Sequence, residues 1–282
     1  MKKRVLAAVL CLALVLAALP MAVSATDPAY GSDAEALVYG KKVRVNSGDD
    51  IEYFGTLREA VEHLHALNET GRKQNNVVTL LDDLTGSGIP VGYGKLTGNT
   101  TNDNNPINIT FDLNGYTYTI TSGVGSSGTE TNGFQLLKDS IVSIRNGRIV
   151  ANSAGIKILI QNYSDLTLDN VTLDAMEGIN GIKYVLSNNY GDILIKNNTD
   201  IIPRADGIAF DLWYSTGHYN DGITITFDSS MTGTVQGKIE YGAATNDSGW
   251  MAKTQLIIKG GNFEGEFTPS CDFIFNMSSA NI

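Results

Sequence analysis

Between Val78 and Phe263 the apolar positions fall mostly at every second residue, in short runs that end at Gly, Asn, Asp or Ser. That is the spacing of strands with one face packed. One register recurs: apolar, any, apolar, any, turn residue, any, any, apolar. It reads Phe111, Leu113, Gly115, Tyr118, then Val142, Ile144, Asn146, Ile149, then Leu166, Leu168, Asn170, Leu173, and again Leu256, Ile258, Gly260, Phe263. A one-residue slip gives Ile193, Ile195, Asn197 and Ile201, and weaker copies hold Ile225, Phe227, Ser229 and Val78, Leu80, Asp82. Successive starts lie 24 to 33 residues apart. A unit of that length cannot bury its apolar positions alone and has to stack on its neighbours. Strand–turn–strand units without helical periodicity predict an all-β solenoid. The expected form is a parallel β-helix of about seven rungs, with inward side chains stacking about 4.8 Å apart.

Two positions at the turn sharpen that expectation. Asn146, Asn170 and Asn197 share one place in the repeat, either as an amide ladder or because Asn tolerates left-handed backbone. The position before it holds Asn114, Arg145, Asp169, Lys196, Asp228 and Lys259, and the last five alternate in sign. Stacked in register, they form an outward salt ladder, and a one-rung slip would place like charges side by side. Exposed pairs of this kind contribute little energy. Neutralised by their neighbours, they are not expected to be catalytic.

Ahead of the repeats the period changes to a helical one. Leu57, Ala60, Val61, Leu64 and Leu67 fall on one face, Thr56 and Glu59 form a capping box, and Gly71 is the stop signal. This predicts a capping helix over 56–68. His63 and His65, two residues apart on it, point about 200° from one another and cannot share a metal. Both are read as surface or groove residues. Residues 26–55 are polar and weakly patterned, with turns at Gly40, Gly48 and Asp49-Asp50.

The first residues combine a basic start at Lys2, Lys3 and Arg4, an apolar run from Val5 to Leu19, and Val23-Ser24-Ala25 before Thr26. This is the pattern of a secretory signal peptide, and the apolar run is short for a span of about 20 residues. The expected organisation is a signal peptide at 1–25, an N-terminal segment with the capping helix at 26–71, and the β-helix domain at 72–282. Secretion follows, with no membrane span in the mature chain. The formal charge of -10 for 282 residues becomes -13 when the three basic residues of the leader are removed. Such a charge argues against nucleic acid as partner. Cys271 alone remains in the mature chain, so a stacked core has to supply what disulfides do not. It is read as a buried apolar filler.

The order of Thr56-Leu57-Arg58-Glu59-Ala60-Val61, Val77-Val78-Thr79-Leu80-Leu81-Asp82-Asp83, Ile109-Thr110-Phe111-Asp112-Leu113-Asn114-Gly115-Tyr116-Thr117 and Ile257-Ile258-Lys259-Gly260-Gly261-Asn262-Phe263 resembles the secreted pectin-lyase-like right-handed β-helix proteins of Gram-positive gut bacteria. The resemblance covers about residues 50 to 267. It implies a right-handed, single-stranded parallel β-helix whose open N-terminal end is capped by the short helix. It does not choose a chemistry: members are often surface proteins without assigned activity, while others on the fold cleave acidic polysaccharides.

The candidate catalytic residues are Asp206, Asp211 and His218, in a stretch similar to the Asp-Gly and Gly-His portions of the polygalacturonase pattern. That pattern's adjacent Asp pair and its Arg-x-Lys are missing here. Asp82-Asp83 and Asp49-Asp50 lack the spacing of a dedicated calcium loop and read as solvated turns. No Gly-x-Ser-x-Gly elbow occurs, and the Gly-rich 123–128 stretch lacks the ending of a phosphate loop. The candidate ligand-binding residues are Trp213, Tyr214, His218 and Tyr219, aromatic groups beside polar ones in an inter-rung loop. Tyr184, Tyr190, Tyr241 and Trp250 are candidates for the same flank. The expected function is a non-catalytic structural or adhesive module at the cell surface, contacting polysaccharide or host glycans and needing no cofactor. The alternative is a polysaccharide lyase or glycoside hydrolase, for which calcium would be the cofactor.

Overall fold

The computed structural model describes residues 30–69, 75–92, 105–125, 130–175, 181–214, 223–243, 254–265, 267–269 and 274–277, with backbone alone for 68–69, 213–214, 241–243, 267–269 and 274–277. The chain is mostly β, in long parallel sheets. Each repeat runs through three strands, and equivalent strands pair in parallel from one repeat to the next, forming three columns. The first column contains Asn76–Leu80, Asn108–Asp112, the first half of Ile141–Ala151 and of Asp165–Asp174, Ile193–Lys196, Ile223–Phe227, Thr254–Ile258 and Ile274–Met277. The two long strands turn a corner at Asn146 and Asn170, and their second halves continue in the second column with Leu84–Ser87, Thr117–Ser122, Asp200–Ile202, Thr234–Gln236 and Asn262–Glu264. The third column is a 7-stranded sheet, from Ile89–Val91 to Phe267–Pro269.

The inward positions of the columns meet in one apolar core. Ile109, Phe111, Val142, Ile144, Leu166, Leu168, Ile193 and Ile195 line it from the first column, and all are buried. Aromatic side chains fill it at two levels: Phe111, Tyr118 and Phe134 meet edge to face early in the stack, and Phe210, Phe227 and Phe263 meet later. Ile and Leu fill the level between them.

Strand pairing corrects the first register. Phe111 pairs with Ile144 and Tyr118 with Ile149, so two extra residues lie in the Asn114-Gly115 turn. Asp112, not Asn114, is therefore the partner of Arg145. The outward row then reads Asp112, Arg145, Asp169, Lys196, Asp228 and Lys259, alternating throughout. Arg145 lies 2.9 Å from Asp112 and Lys196 3.1 Å from Asp169. At the corner both readings of the asparagines hold together. Asn146, Asn170 and Asn197 have φ of 57°, 55° and 55°. Asn170 donates to Asn146 Oδ1 at 3.2 Å, while Asn146 and Asn197 donate to Asp112 and Asp169 of the preceding repeat. Gly147 follows the first of these corners, where a Cβ would lie 2.5 Å from Leu113 Cβ and Tyr116 O.

The N-terminal end is closed by more structure than expected. Helix α1 (Asp33–Val38) precedes a hairpin of Val43–Ser47 and Asp50–Phe54, whose first strand also pairs antiparallel with Asn76–Leu80. Helix α2 (Leu57–Glu69) buries Leu57, Ala60, Val61 and Leu64 against the core. Each large aliphatic side chain buried here contributes roughly 1.5–3 kcal/mol. The capping box forms in both directions, Thr56 Oγ1 accepting from Glu59 N and Glu59 Oε2 from Thr56 N, each at 3.1 Å.

The surface reading of the histidines is corrected for His65. It is 3% exposed, and its Nε2 accepts from Gly92 N at 3.0 Å. Burial, with Arg58 adding to it, lowers its pKa to about 4, because charging this ring would put an unsolvated cation against the sheet. His63 lies 2.9 Å from Glu52 and packs on Phe54.

Candidate functional site

In the third column, alternation places Gln135, Gln161, Ser187, Asp211 and Glu240 at one register, on the side opposite Phe134, Ile160, Leu186 and Phe210. The row runs across the strands, one hydrogen-bonding side chain per repeat, at the strand spacing of about 4.8 Å. Gln161 donates to Ser187 Oγ at 3.4 Å and to Asn189 Oδ1. Below it, Asn162 and Asn188 form a wholly buried amide pair at 3.0 Å that ties this row to the backbone at Ser164 and Gly191.

Asp211 is the exceptional member. It is 6% exposed, and its Oδ1 has no hydrogen-bond partner. Burial pushes its pKa up to about 7; the Ser187 hydroxyl opposes the rise and the Glu240 carboxylate on the adjacent strand adds to it. Glu240 accepts from Tyr184 Oη at 3.0 Å. The Lys183 ammonium sits 4.8 Å over the Tyr184 ring. Two carboxylates, a phenol, an ammonium, a hydroxyl and two amides thus meet on one face.

Only part of the expected constellation is brought together. Asp206 lies in an exposed turn, where Arg204 grips both of its carboxylate oxygens and holds its pKa below the usual range. Asp211 faces Ser187 and Glu240 instead. His218, Tyr219, Trp250 and Cys271 lie outside the described residues; Trp213 and Tyr214 close the strand Ile208–Tyr214, and for them and Tyr241 the backbone alone is described. Tyr190 is described and stacks under Lys138 at 4.8 Å. Ser187, Gln161 and Glu240 belong to no motif legible in the sequence. The signal was present only as a polar residue at equal distance from a Phe, Ile or Leu in successive strands.

The acidic turns behave as solvated structure. Asp82 pairs with Lys42 at 2.6 Å and Asp83 accepts from Thr117 N. Among the described residues no group of three His, Cys, Asp or Glu side chains is placed to hold a metal, and no helix is long and apolar enough to cross a membrane. No family model matches the chain, and no curated protein or solved structure matches it. What this face does has to be argued from its side chains.

Proposed function

We propose that the chain is a secreted, right-handed parallel β-helix of the pectin-lyase-like kind, acting as a non-catalytic surface module that binds a glycan along the outward row of the third column. The observation that carries this reading is the row itself. In this row Gln161, Ser187 and Asp211 are nearly buried, and Gln135 and Glu240 at its two ends are the part-exposed polar groups that a glycan can reach. Charges elsewhere on the columns are paired along the stack, as in Arg145–Asp112, Lys196–Asp169 and Arg148–Asp174. Affinity electrophoresis against a panel of polysaccharides tests it. Retention by a glycan that is lost in Glu240→Gln supports the reading; no retention by any polymer, or retention unchanged in Glu240→Gln, contradicts it.

A second reading, cleavage of an acidic polysaccharide, draws on one observation: a carboxylic acid with its pKa near neutrality beside a second carboxylate, the pairing that acid–base hydrolysis needs. Product analysis with pectin and alginate, with and without chelator, decides between the two. Cleavage that disappears in Asp211→Asn replaces the binding reading with the enzymatic one.

A further inference from the structure

The outward face of the first column carries three rows of side chains along the stack, and all three are half-buried or exposed from the strand at Asn108 onward. The charged row from Asp112 to Lys259 forms one side. The middle row is mostly short hydroxyl side chains, Thr110, Ser143, Thr167 and Thr226, with Leu194 among them. The far row contains Ile141, Asp165 and Asp192. Ile141 and Leu194 leave large apolar side chains in water, 55% and 37% exposed. The charged row has an even number of members and alternates throughout, so its reverse is its own complement. A second copy turned about an axis along the strands presents the same face with the repeats in reverse order. Asp112 then lies opposite Lys259 of the second copy, Arg145 opposite Asp228, and Asp169 opposite Lys196, each contact occurring twice. Every charge of the row meets the opposite sign. With the repeats of both copies running the same way, the row would meet itself like on like. In the reversed arrangement Leu194 falls on Thr167 of the second copy and Ile141 on Thr224. Strand spacing and rise give this face about 500 Å² per copy, or about 1,000 Å² in total. That is the low end for a specific interface, so association is weak and concentration-dependent. One contact opposes it: Asp165 faces Asp192 of the second copy, although each carboxylate accepts a backbone N–H from the next repeat, at 3.2 and 3.0 Å.

We infer that the outward face of the first column docks a second copy of this chain, end for end, through its self-complementary charge ladder. The ladder thus has two roles: it holds the repeats in register within one chain, and it selects orientation and register between two. The surface lies on a different column from the row assigned to glycan binding, so the two proposals stand or fall separately.

Analytical ultracentrifugation of the full chain, from about 5 to about 500 µM, tests it, because an interface of this size associates in the micromolar range. A monomer–dimer equilibrium is expected at about 50 mM salt, weakened at least about tenfold at about 500 mM. Asp169→Lys and Lys196→Asp, each checked for unchanged circular dichroism, should each lower self-association about tenfold or more, since each sets like charges opposite one another across the interface. Mixed in equal amounts, the two variants should associate as tightly as the parent chain, because every opposed pair in the mixed dimer is again of opposite sign. Asp192→Asn, which removes the one like-charge contact, should tighten the dimer severalfold. A monomer at all concentrations, or a dimer indifferent to both charge reversals, overturns the inference. So does a mixture no more associated than either variant alone, since fold damage in one variant is not repaired by adding the other.

Discussion

The first and third columns share strand spacing, parallel pairing and the same apolar core, and their outward rows are satisfied in opposite ways. In the first column each charge answers the one before it, from Asp112 to Lys259, and the asparagines at the corner add hydrogen bonds between repeats. In the third column the acids Asp211 and Glu240 adjoin as like charges, with the Lys183 ammonium acting on both from over the Tyr184 ring, and one carboxylate oxygen lacks a donor. A row that is closed on itself defines register, because slipping it by one repeat opposes like charges. A row with a buried, unsatisfied acceptor is less stable than an apolar one would be.

Four experiments probe the contrast, in order of expected effect. The largest belongs to Asp211. Its folded pKa is raised above the unfolded value, so the folded state binds the proton more tightly. Stability is greatest below about pH 4 in this respect and falls as pH rises towards about 7. The loss has an upper limit of roughly 4 kcal/mol. Asp211→Asn should remove that slope and raise the melting temperature at pH 8, measured by calorimetry across pH 3 to 9. A melting temperature at pH 8 unchanged or lowered by the substitution would break the contrast.

His65 supplies the opposite slope and has to be separated from it. Its folded pKa is depressed to about 4, so its share of stability is intact above about 6.5 and is lost as pH falls towards 4. The loss is about 3 kcal/mol at most. In an Asp211→Asn background this acid limb should stand alone, and chemical denaturation at pH 4 and 7 measures it. If the limb persists when His65 is replaced by Gln, another group is responsible.

At the corners of the first column, Asn170→Ala should destabilise by about 1 kcal/mol, since Ala is strained at φ 55° and loses the bond to Asn146. Asn170→Gly, which relieves the strain, should lose less; equal losses would assign the whole effect to the amide. The smallest effect is expected for the charges themselves. Asp169→Lys places three positive charges at successive repeats and should cost about 0.5 kcal/mol at low salt, shrinking as salt is added. A salt-independent loss would assign the effect to the Asn197 hydrogen bond that Asp169 accepts, not to the ladder.

The stacked repeat is legible in the sequence because period-two burial repeats at a near-constant interval, and the helix because its capping box and apolar stripe are local. Matching Gly115 to Asn146 as turn residues hid the two-residue insertion, which only the pairing of Asp112 with Arg145 exposes. The hairpin at Val43–Phe54 has too few apolar positions to stand out, since its second strand is exposed. Asp211 stands out in the sequence through its similarity to the polygalacturonase pattern, which pairs it with Asp206. Neighbours four to six residues apart in the chain are not neighbours across a parallel sheet, where contacts lie about a repeat away. Glu240 sits in Lys-Ile-Glu-Tyr, an ordinary strand, and becomes significant only when the strand after Asp211 is laid beside it.

The most direct test of the open row is the titration of Asp211 itself, followed by carboxyl carbon-13 NMR with the resonance assigned by its absence in Asp211→Asn. A midpoint near pH 7 is predicted. A midpoint near 4 would mean that the carboxylate is solvated or already paired, and the contrast between the two columns would not hold.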